Sequence, residues 1–306
     1  QSNIKKAKKY LDKNYCIGVP TETVYGLAAN AYVDSAVKKI FNLKKRPQNN
    51  PLIVHYLDID SLKKDCLTNS NFIKLYKKFS PGPITYILKL KKNSKISKYV
   101  TNNEKNLAIR FPKHKVFREL LGQLSYPLAA PSANMTTKVS AVQASDVKEE
   151  FANKIKYILN GGKCSIGIES TIINLIGKPT ILRLGGLDIS KIQNTLGLKL
   201  NININSGKKV SPGQSRLHYS PGIPLKMNVV NPKNDEAFIL IKKRKTKSKN
   251  FFYLSIKNNL DEAAKNLYSC LRKIKNKGYK SIAVEKISTK GLGKAINDRL
   301  QRASRY

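Results

Sequence analysis

The stretch NLKKRPQNNPLIVH, residues 42–55, places a cluster of cations directly before an apolar segment. The cations at 44–46 precede a turn with two amides between two prolines, and the apolar run at 52–54 predicts a buried strand. Arginine presents a planar fork that fits phosphate or carboxylate, and lysine supplies a mobile point charge. The pattern therefore predicts an anion site between a helix at 36–43 and this strand. A solvated basic helix end is the alternative, because helix C-termini also attract Lys and Arg.

The length of 306 residues suffices for one large domain or two ordinary ones with an ample core. Hydrophobic residues make up 41% of the chain, and no apolar run approaches the roughly 18 residues that a membrane-spanning helix needs. Because the sequence starts at Gln1 without Met, we expect a short leader to be missing or removed. Nothing near the start resembles a secretion signal.

The formal charge of +39, from 58 Lys and Arg against 19 Asp and Glu, favours anionic ligands and non-specific adhesion to nucleic acid. The lysines occur in every part of the chain, and no stripe of cations interleaved with aromatics stands out, which argues against a dedicated nucleic-acid module. The four cysteines are scattered without CxxC spacing and indicate reduced thiols of a cytoplasmic protein. With three dispersed histidines, a metal held by the protein itself is not expected.

Several other segments place polar groups at the ends of predicted strands. A strand at 16–19 runs into two threonines and a glutamate, which predicts a polar site unless Thr21 or Thr23 merely caps a helix. The strand at 107–110 ends in Arg110, which must face either an anion or an internal carboxylate. The small residues of PLAAPSAN, 127–134, either admit a ligand or form a plain turn. No GxxxxGK[ST] or GxGxxG motif is present, so a nucleotide would be held by groups converging from several strands.

Seven segments, in this order and spacing over about 170 residues, resemble the threonylcarbamoyladenylate synthase family, the Sua5/YrdC/YwlC group. They are PTETVYGL (20–27), KKRPQNNPLIVH (44–55), PGPITYIL (81–88), AIRFP (108–112), APSAN (130–134), ESTIINL (169–175) and ILRLG (181–185). Two further segments, VSPGQSRLHYSP (210–221) and GLGKAINDRLQRAS (291–304), resemble the linker and the chain end of the long, two-domain form.

The resemblance implies an α/β fold, with a YrdC-like twisted mixed sheet flanked by helices around a large cavity and a small C-terminal α/β domain. We expect a catalytic domain at 1–203, a linker at 204–222 and the second domain at 223–306. The family precedent also implies that 210–221 folds over the cavity as a lid, with Tyr219 touching the nucleotide. A passive tether is the alternative.

The implied activity is nucleotidyl transfer: L-threonine, bicarbonate or CO2 and ATP give L-threonylcarbamoyladenylate and pyrophosphate. This is the first step toward N6-threonylcarbamoyl adenosine in tRNA. The implied cofactor is Mg2+ that arrives with ATP, without a protein-held metal. The implied partners are the three substrates and a downstream tRNA threonylcarbamoyl transferase, and the charge is compatible with non-specific RNA binding.

The family pattern also implies the site residues. The catalytic residues are Lys44 and Arg46. The ATP-binding residues are Arg46, Asn50, Ser132, Asn134, Ser140, Arg183 and Tyr219. The threonine-binding residues are Thr23, His55, Arg110, Ala130 (through its backbone) and Ser170. Taken alone, His55 is more typical of a structural histidine.

Two positions depart from the family pattern. Lys45 stands where relatives often have Gly, which adds a charge. Asn106 stands where relatives tend to have Thr, so we do not carry over a nucleotide contact there.

Two rival functions remain at this point. One is an RNA-binding module with an incidental cavity. The other is the carbamoyl-transfer domain of hydrogenase-maturation proteins, which usually accompanies the zinc-type cysteine pairs that this sequence lacks.

Overall fold

The structure is a computed structural model that describes residues 2–204 and 218–305. Within these residues the first sheet has nine strands in the order β1-β2-β6-β3-β5-β4-β7-β8-β9, with parallel and antiparallel pairs. Its strands are β1 (Ile17–Val19), β2 (Gly26–Asn30), β3 (Ile53–His55), β4 (Ile84–Lys89), β5 (Asn106–Arg110), β6 (Leu128–Ala129), β7 (Thr171–Asn174), β8 (Thr180–Arg183) and β9 (Asn201–Ile202).

The second sheet is smaller, and all of its strand pairs are parallel, in the order β10-β13-β11-β12. Its strands are β10 (Leu225–Lys226), β11 (Ala237–Leu240), β12 (Phe251–Tyr253) and β13 (Ile282–Val284). The mixed α/β architecture expected from the sequence is confirmed, with a large mixed sheet followed by a small α/β unit.

The helices are amphipathic and bury one face against the sheets. They are α1 (Ser2–Asp12), α2 (Asp34–Lys44), α3 (Ile59–Lys63), α4 (Ser70–Phe79), α5 (Lys98–Thr101), α6 (Lys115–Gly122), α7 (Ala144–Phe151), α8 (Ile189–Leu196), α9 (Leu260–Asn276) and α10 (Gly293–Ala303). No helix in 2–204 or 218–305 combines the length and the apolar character that a membrane crossing requires.

The turn after α2 explains one of the departures from the family pattern. Lys45 caps this helix in the left-handed conformation, with φ 48°. Glycine adopts this conformation without a steric cost, which accounts for the glycine expected here in relatives. The Lys45 and Arg46 N–H groups donate to the Asn42 and Phe41 carbonyls, so the turn redirects the chain at the helix end.

Strand register brings the predicted polar residues together. β3 and β5 are parallel and pair His55 with Arg110 at their carboxyl ends. In the next pair, Thr85 lies opposite Arg110, and beyond it Ile172 lies opposite Arg183. Side chains that are far apart in sequence therefore lie on neighbouring strands of one sheet.

Two sequence expectations are wrong. The sequence KYIL at 156–159 predicts a strand, but the structure has only an isolated bridge there, where Ile158 pairs with Gly18 at the outer edge of β1. The helix cap offered as an alternative for Thr21 and Thr23 does not exist, because the next element is β2. Much of the predicted linker and lid, 205–217, lies outside the described residues, so the domain bounds stay a prediction.

Candidate functional site

A pocket, which we call the cavity, opens among the ends of these strands, and its empty space, including space open to solvent, is about 530 Å³. Nine of the predicted site residues line it: Thr23, Arg46, His55, Arg110, Ala130, Ser132, Ser170, Arg183 and Tyr219. Glu169, Thr21 and His218 also line it. The other four predicted residues, Lys44, Asn50, Asn134 and Ser140, are buried behind these side chains.

Arg46 follows α2 and braces the turn that leads to β3. Its Nε donates to the Asn50 carbonyl over 3.0 Å, and Nη2 donates to the Pro51 carbonyl over 3.0 Å. Burial and, to a lesser degree, the nearby Arg183 lower its pKa to about 9. Arg46 therefore stays charged at neutral pH, and the two guanidiniums lie within electrostatic reach of each other.

Lys44 fastens the end of α2 to the loop of small residues. Its Nζ donates to the Ser132 carbonyl over 2.7 Å and also to the Asn134 carbonyl. Burial lowers the Lys44 pKa well below its ordinary value, and nearby Arg46 adds to this effect. The structure thus gives Lys44 a role in fixing the Ser132 loop against Arg46.

Two buried amides keep an acceptor without a partner among the described residues. These acceptors are Oδ1 of Asn50 and Oδ1 of Asn134. The Asn134 Nδ2 donates to the Met135 and Lys138 carbonyls, each over 2.8 Å, which fixes this side chain. A buried acceptor without a donor costs free energy, so a bound ligand or water that donates to either amide would stabilise the loop.

Arg110, Glu22, Thr23 and His55 form what we call the Arg110 group. Arg110 Nη2 lies 2.8 Å from Glu22 Oε1, in an ion pair whose angles are not those of a hydrogen bond. Arg110 Nη1 donates to Thr23 Oγ1 over 2.8 Å. Of the two partners that the sequence left open for Arg110, the described structure contains the internal carboxylate.

His55 is the last residue of β3 and is buried, with its ring centroid 5.5 Å from that of Phe117. Burial lowers its pKa to about 3, and the neighbouring Arg110 contributes to the shift. The imidazole is therefore neutral at pH 7 and adds no charge to the Arg110 group.

Ala130 contributes backbone to the same wall, but its N–H already donates to the Ile53 carbonyl over 2.9 Å. Any backbone contact from Ala130 to a ligand would therefore use its carbonyl oxygen.

Arg46, Arg183 and Ser170 form a second set, the Arg46–Arg183 group. Arg183 ends β8, and its Nε and Nη2 donate to the Ser170 carbonyl and hydroxyl, each over 3.0 Å. The Ser170 hydroxyl also shares a 2.7 Å hydrogen bond with Thr85. These acceptors of Arg46 and Arg183 are neutral oxygens, in contrast to the carboxylate beside Arg110.

Glu169 lies beside this second group and is held by side chains from two parts of the chain. Its Oε1 accepts from Ser140 over 2.6 Å, and its Oε2 accepts from Tyr268 over 2.8 Å and from Arg299 over 3.2 Å. Burial alone would raise its pKa, but Arg299, Arg183 and the Ser140 hydroxyl lower it to about 2. Glu169 is therefore ionised. Ser140 does not line the cavity, but its hydroxyl donates to Glu169.

Tyr219 is the last predicted site residue. It lies within the described part of the chain, whereas residues 205–217 do not. It is buried, with φ 64°, and stacks on Tyr268 with ring centroids 5.7 Å apart. The Arg299 guanidinium lies 5.2 Å from the Tyr219 ring centroid. Its neighbour His218 is a second cavity-lining histidine, and burial lowers the His218 pKa to about 3.

The thiols do not offer a nucleophile. Burial raises the pKa of Cys16, Cys164 and Cys270 to about 12 and raises that of Cys66 as well. A thiol in this state is a weak nucleophile at neutral pH.

Metal ligands are also scarce near the cavity. In the described parts of the chain, no group of three or more His, Cys, Asp or Glu side chains could hold a metal ion. The two carboxylates that come closest, Glu22 and Glu169, already face Arg110 and Arg299.

Sequence reasoning missed four side chains that shape the site: Glu22, Glu169, Tyr268 and Arg299. The two glutamates carried a signal, since each stands beside a predicted polar strand end in a chain with few acidic residues. Nothing local marked Tyr268 and Arg299, because they reach the site from a later part of the chain.

Two family models match the chain. The first, described as "Telomere recombination" in the Sua5_yciO_yrdC family, covers residues 9–185. The second, described as the C-terminal domain of threonylcarbamoyl-AMP synthase, covers residues 187–305.

Curated relatives match along almost the whole chain. A threonylcarbamoyl-AMP synthase of Pyrococcus abyssi is 34% identical over 99% of this chain and 94% of its own length. The enzyme of the same name from Bacillus subtilis is 34% identical over 98% of this chain and 92% of its own length.

A solved structure of P. abyssi Sua5 complexed with L-threonine superposes with a TM-score of 0.89 at 32% identity, over 98% of this chain and 94% of that one. Full-length HypF, at 22% identity and a TM-score of 0.55, covers 60% of this chain and 29% of that one and shares the fold.

Proposed function

Since the chain belongs to the Sua5 family of threonylcarbamoyl-AMP synthases, we propose that it condenses L-threonine, bicarbonate or CO2 and ATP into L-threonylcarbamoyladenylate and pyrophosphate. The product is the activated intermediate for the t6A modification of tRNA. The observation that supports this function most directly is the cavity itself, where Arg46, Arg110 and Arg183 converge with neutral hydroxyls and a neutral histidine. Such a site suits substrates that carry several separate anionic groups.

We assign the triphosphate to the Arg46–Arg183 group. Arg46 and Arg183 bring two guanidiniums to one cavity, and hydrogen bonds to nearby carbonyl and hydroxyl oxygens fix both side chains where a polyanion could bind. Ser132 lines the same cavity, and the orphaned oxygens of Asn50 and Asn134 suit donors such as an adenine amino group or a ribose hydroxyl. Lys44 acts by holding this loop, and Tyr219 supplies an aromatic wall.

We assign L-threonine to the Arg110 group. The substrate is a zwitterion, and the pair of Arg110 with Glu22 offers a cation for its carboxylate and an anion for its ammonium. Thr23, Ser170 and the Ala130 backbone supply polar contacts around it. Neutral His55 can accept or donate a hydrogen bond without adding charge.

The chemistry follows from these assignments. Bicarbonate takes up a proton and gives CO2 and water. The threonine ammonium loses one proton to solvent, its nitrogen adds to CO2, and a second proton leaves the nitrogen as the carbamate forms. A carbamate oxygen then attacks the α-phosphorus of ATP. The bond from the α-phosphorus to the bridging oxygen breaks, and pyrophosphate leaves with the electron pair. Charge that accumulates on the phosphates is stabilised by prearranged cations, here Arg46 and Arg183.

No covalent enzyme intermediate is required, in keeping with the protonated thiols. Mg2+ enters as part of the MgATP substrate, because Glu22 and Glu169 are already paired within the protein.

The setting of the reaction completes the proposal. We propose that bicarbonate is the source of CO2 and that a tRNA threonylcarbamoyl transferase consumes the adenylate. We also propose that this chain and the transferase act in the cytoplasm. We retain the domain bounds 1–203 and 223–306, with 204–222 as a linker.

The test is an assay of pyrophosphate release in which ATP, threonine and bicarbonate are each omitted in turn. We expect release to need all three, with the adenylate trapped by mass spectrometry. Substantial release from ATP alone without an adenylate would indicate a plain hydrolase.

The charge of +39 favours RNA binding as a second candidate activity. If RNA binding were the main function, salt-sensitive binding to RNA would survive the loss of both Lys44 and Arg46, while no adenylate would form in the wild type.

A further inference from the structure

The Ser132 loop, which we take as residues 132–140, is held in its first half by α2. Lys44 donates from Nζ to the Ser132 and Asn134 carbonyls. In the opposite direction, the Thr136 N–H and hydroxyl donate to the Lys44 carbonyl over 3.1 and 2.9 Å. These contacts join the start of the loop to the end of α2.

The second half of the loop is held by an ion pair between α7 and α9. Glu150, on α7, accepts from the Met135 N–H over 3.1 Å through Oε2, and its Oε1 accepts from Arg272 Nη2 over 3.0 Å. The same Nη2 donates to the Val139 carbonyl over 2.7 Å. Arg272 lies on α9, in the small α/β unit. One guanidinium therefore joins this unit to Val139 directly and to Met135 through Glu150.

Burial makes this ion pair stronger than a surface contact. The Glu150 side chain is 6% exposed and that of Arg272 is 11% exposed. Removal of one partner from such a pair leaves the other buried without its counter-charge. Lys138 is a weaker partner of Glu150, because it lies 3.9 Å away and its side chain is 53% exposed. Arg272 is therefore the main counter-charge of Glu150.

The Ser132 loop connects the ion pair to the wall of the cavity. Ser132 lines the cavity, and Oδ1 of Asn134 is a buried acceptor without a partner among the described residues. Asn134 directly precedes Met135 and donates from Nδ2 to the Met135 carbonyl over 2.8 Å. A shift of Met135 would therefore move an acceptor that we assign to the nucleotide.

The same loop also anchors the residue after Tyr219. The Ser220 N–H donates to the Thr137 carbonyl over 2.8 Å. Thr137 has a φ of 73°, a left-handed conformation that a β-branched residue keeps only where surrounding contacts hold it. Loosening of the loop would therefore affect two groups of the cavity wall, Ser132 and Tyr219.

We propose that Arg272 and Glu150 are positioning residues for the nucleotide, because as one ion pair they hold the Ser132 loop in the conformation that presents Ser132 and Asn134 to ATP. The inference rests on the proposed function in taking ATP as a ligand of the cavity. Arg272 and Glu150 are not among the residues that line the cavity, so they act through the loop.

The first measurement is hydrogen exchange of the full chain without ligand, read by mass spectrometry in a peptide that spans 132–140. Arg272→Met removes the charge and both hydrogen bonds of Nη2. Glu150→Gln keeps the shape of the side chain but has one acceptor oxygen in place of two. We expect exchange in this peptide to be at least about threefold faster in each variant, because the loop opens more often.

The second measurement is the Kd for ATP, by calorimetry on the full chain without threonine or bicarbonate. ATP must then order a loosened loop when it binds, so each variant should raise the Kd by about 3- to 10-fold. The KM for threonine at saturating ATP should stay within about twofold of the wild type. Arg272→Lys keeps the charge without the planar fork and should recover part of the loss in ATP binding.

The double variant Arg272→Met with Glu150→Gln tests whether the two residues act as one unit. Effects that pass through the same contact do not add, so the Kd of the double variant should match that of the weaker-binding single variant within about twofold. Two unrelated structural effects would multiply instead.

Arg244→Met is the matched control. Arg244 also pairs with a glutamate, Glu285, over 3.2 Å, and the described hydrogen bonds of both side chains end on residues of the small α/β unit. Its loss should leave the exchange of 132–140 and the Kd for ATP within about twofold of the wild type.

Four outcomes overturn the inference: exchange of 132–140 in Arg272→Met is that of the wild type, its Kd for ATP is that of the wild type, the double variant shows multiplied losses, or Arg244→Met weakens ATP binding as much as Arg272→Met. If Arg272→Met does not fold, Glu150→Gln and Arg272→Lys decide by the same measurements. A wild type that does not bind ATP contradicts the proposed function and removes the nucleotide from the inference. The exchange data still show whether the ion pair holds the loop, which separates the two failures.

Discussion

In the Arg110 group the guanidinium faces a carboxylate at 2.8 Å, whereas Arg46 and Arg183 bond to carbonyl and hydroxyl oxygens. The first group is close to neutral overall, because Glu22 cancels Arg110 and His55 is uncharged. The second contains two guanidiniums, and the neighbouring carboxylate, Glu169, pairs with Arg299. The same residue type can therefore serve a zwitterion in one group and a polyanion in the other, according to where the glutamates stand.

The largest expected effect comes from Arg46→Ala. Two charge-assisted hydrogen bonds to transition-state charge, at roughly 1.5–3 kcal/mol each, correspond to a loss on the order of 10² or more in kcat/KM for ATP. Pyrophosphate release measures this loss. Lys45→Asn is the control, because Lys45 is a neighbouring exposed cation. Asn tolerates the left-handed backbone at this position, so the variant should retain activity. Near-normal turnover of Arg46→Ala would mean that Arg46 does not stabilise the charge that develops in the transition state.

A smaller effect is expected when serine replaces threonine as substrate. Serine lacks one methyl group. A pocket that encloses the methyl favours threonine over serine by only roughly 1–3 kcal/mol, or about 10- to 200-fold in kcat/KM. The ratio of the two kcat/KM values, measured at saturating ATP, tests whether the Arg110 group encloses the side chain. Equal values would mean that the neutral group recognises charge alone.

Glu22→Gln should separate the two groups. The variant keeps the shape of Glu22 but removes the anion that we assign to the threonine ammonium, so the KM for threonine should rise by at least about tenfold. The KM for ATP should stay within about twofold. Glu169→Gln is the reciprocal control, since it should leave the KM for threonine unchanged. A Glu22→Gln variant that loses ATP binding as well would show that the groups are not independent.

The smallest expected effect is on the pH dependence of folding stability, which tests whether His55 in the Arg110 group is neutral. Burial lowers the pKa of His55 from 6.5 to about 3, so the unfolded chain binds this proton before the folded chain does. Stability should therefore fall as the pH drops below about 6.5, by up to about 1.4 kcal/mol per pH unit for this residue. Urea unfolding at pH 7.5, 6.5 and 5.5 measures it, and His55→Asn should remove the His55 share of the slope, while His218, whose pKa is also lowered to about 3, keeps its own.

Glu169 affects stability in a lower pH window, below the range of these three measurements. Its folded pKa of about 2 lies below the ordinary 4.5, so its contribution is complete above pH 4.5 and is lost as the pH falls toward 2. Identical profiles for His55→Asn and the wild type between pH 7.5 and 5.5 would mean that the His55 pKa is the same in the folded and the unfolded chain.

Much of the fold could be predicted because its signals are local. These signals are the buried face of α2, the prolines before β3 and the arginines at the ends of β5 and β8. Each lies within a few residues of the helix or strand that it helps to define. The helices α5, α6 and α8 were not predicted. α5 has only 4 residues, while α8 did carry signals, namely the capping Asp188 and a left-handed Gly197.

The Glu169 contacts lay beyond local reasoning. Tyr268 and Arg299 stand 99 and 130 residues away from Glu169 along the chain, and no spacing rule connects such positions. The partner of Arg110 was left open for the same reason, since only the tertiary fold brings Glu22 to it. Local patterns thus gave the charged residues, and tertiary packing decided which of them neutralise one another.

The burial of all four thiols also has a practical consequence for labelling. Cys16, Cys66, Cys164 and Cys270 are each at most 8% exposed, and all are protonated at neutral pH, so maleimide dyes should react with the native chain only slowly. A single cysteine introduced at an exposed position, such as Lys249 or Asn102, would then carry a fluorophore selectively. Single-molecule spectroscopy of this enzyme could start from the natural sequence, without first removing its cysteines.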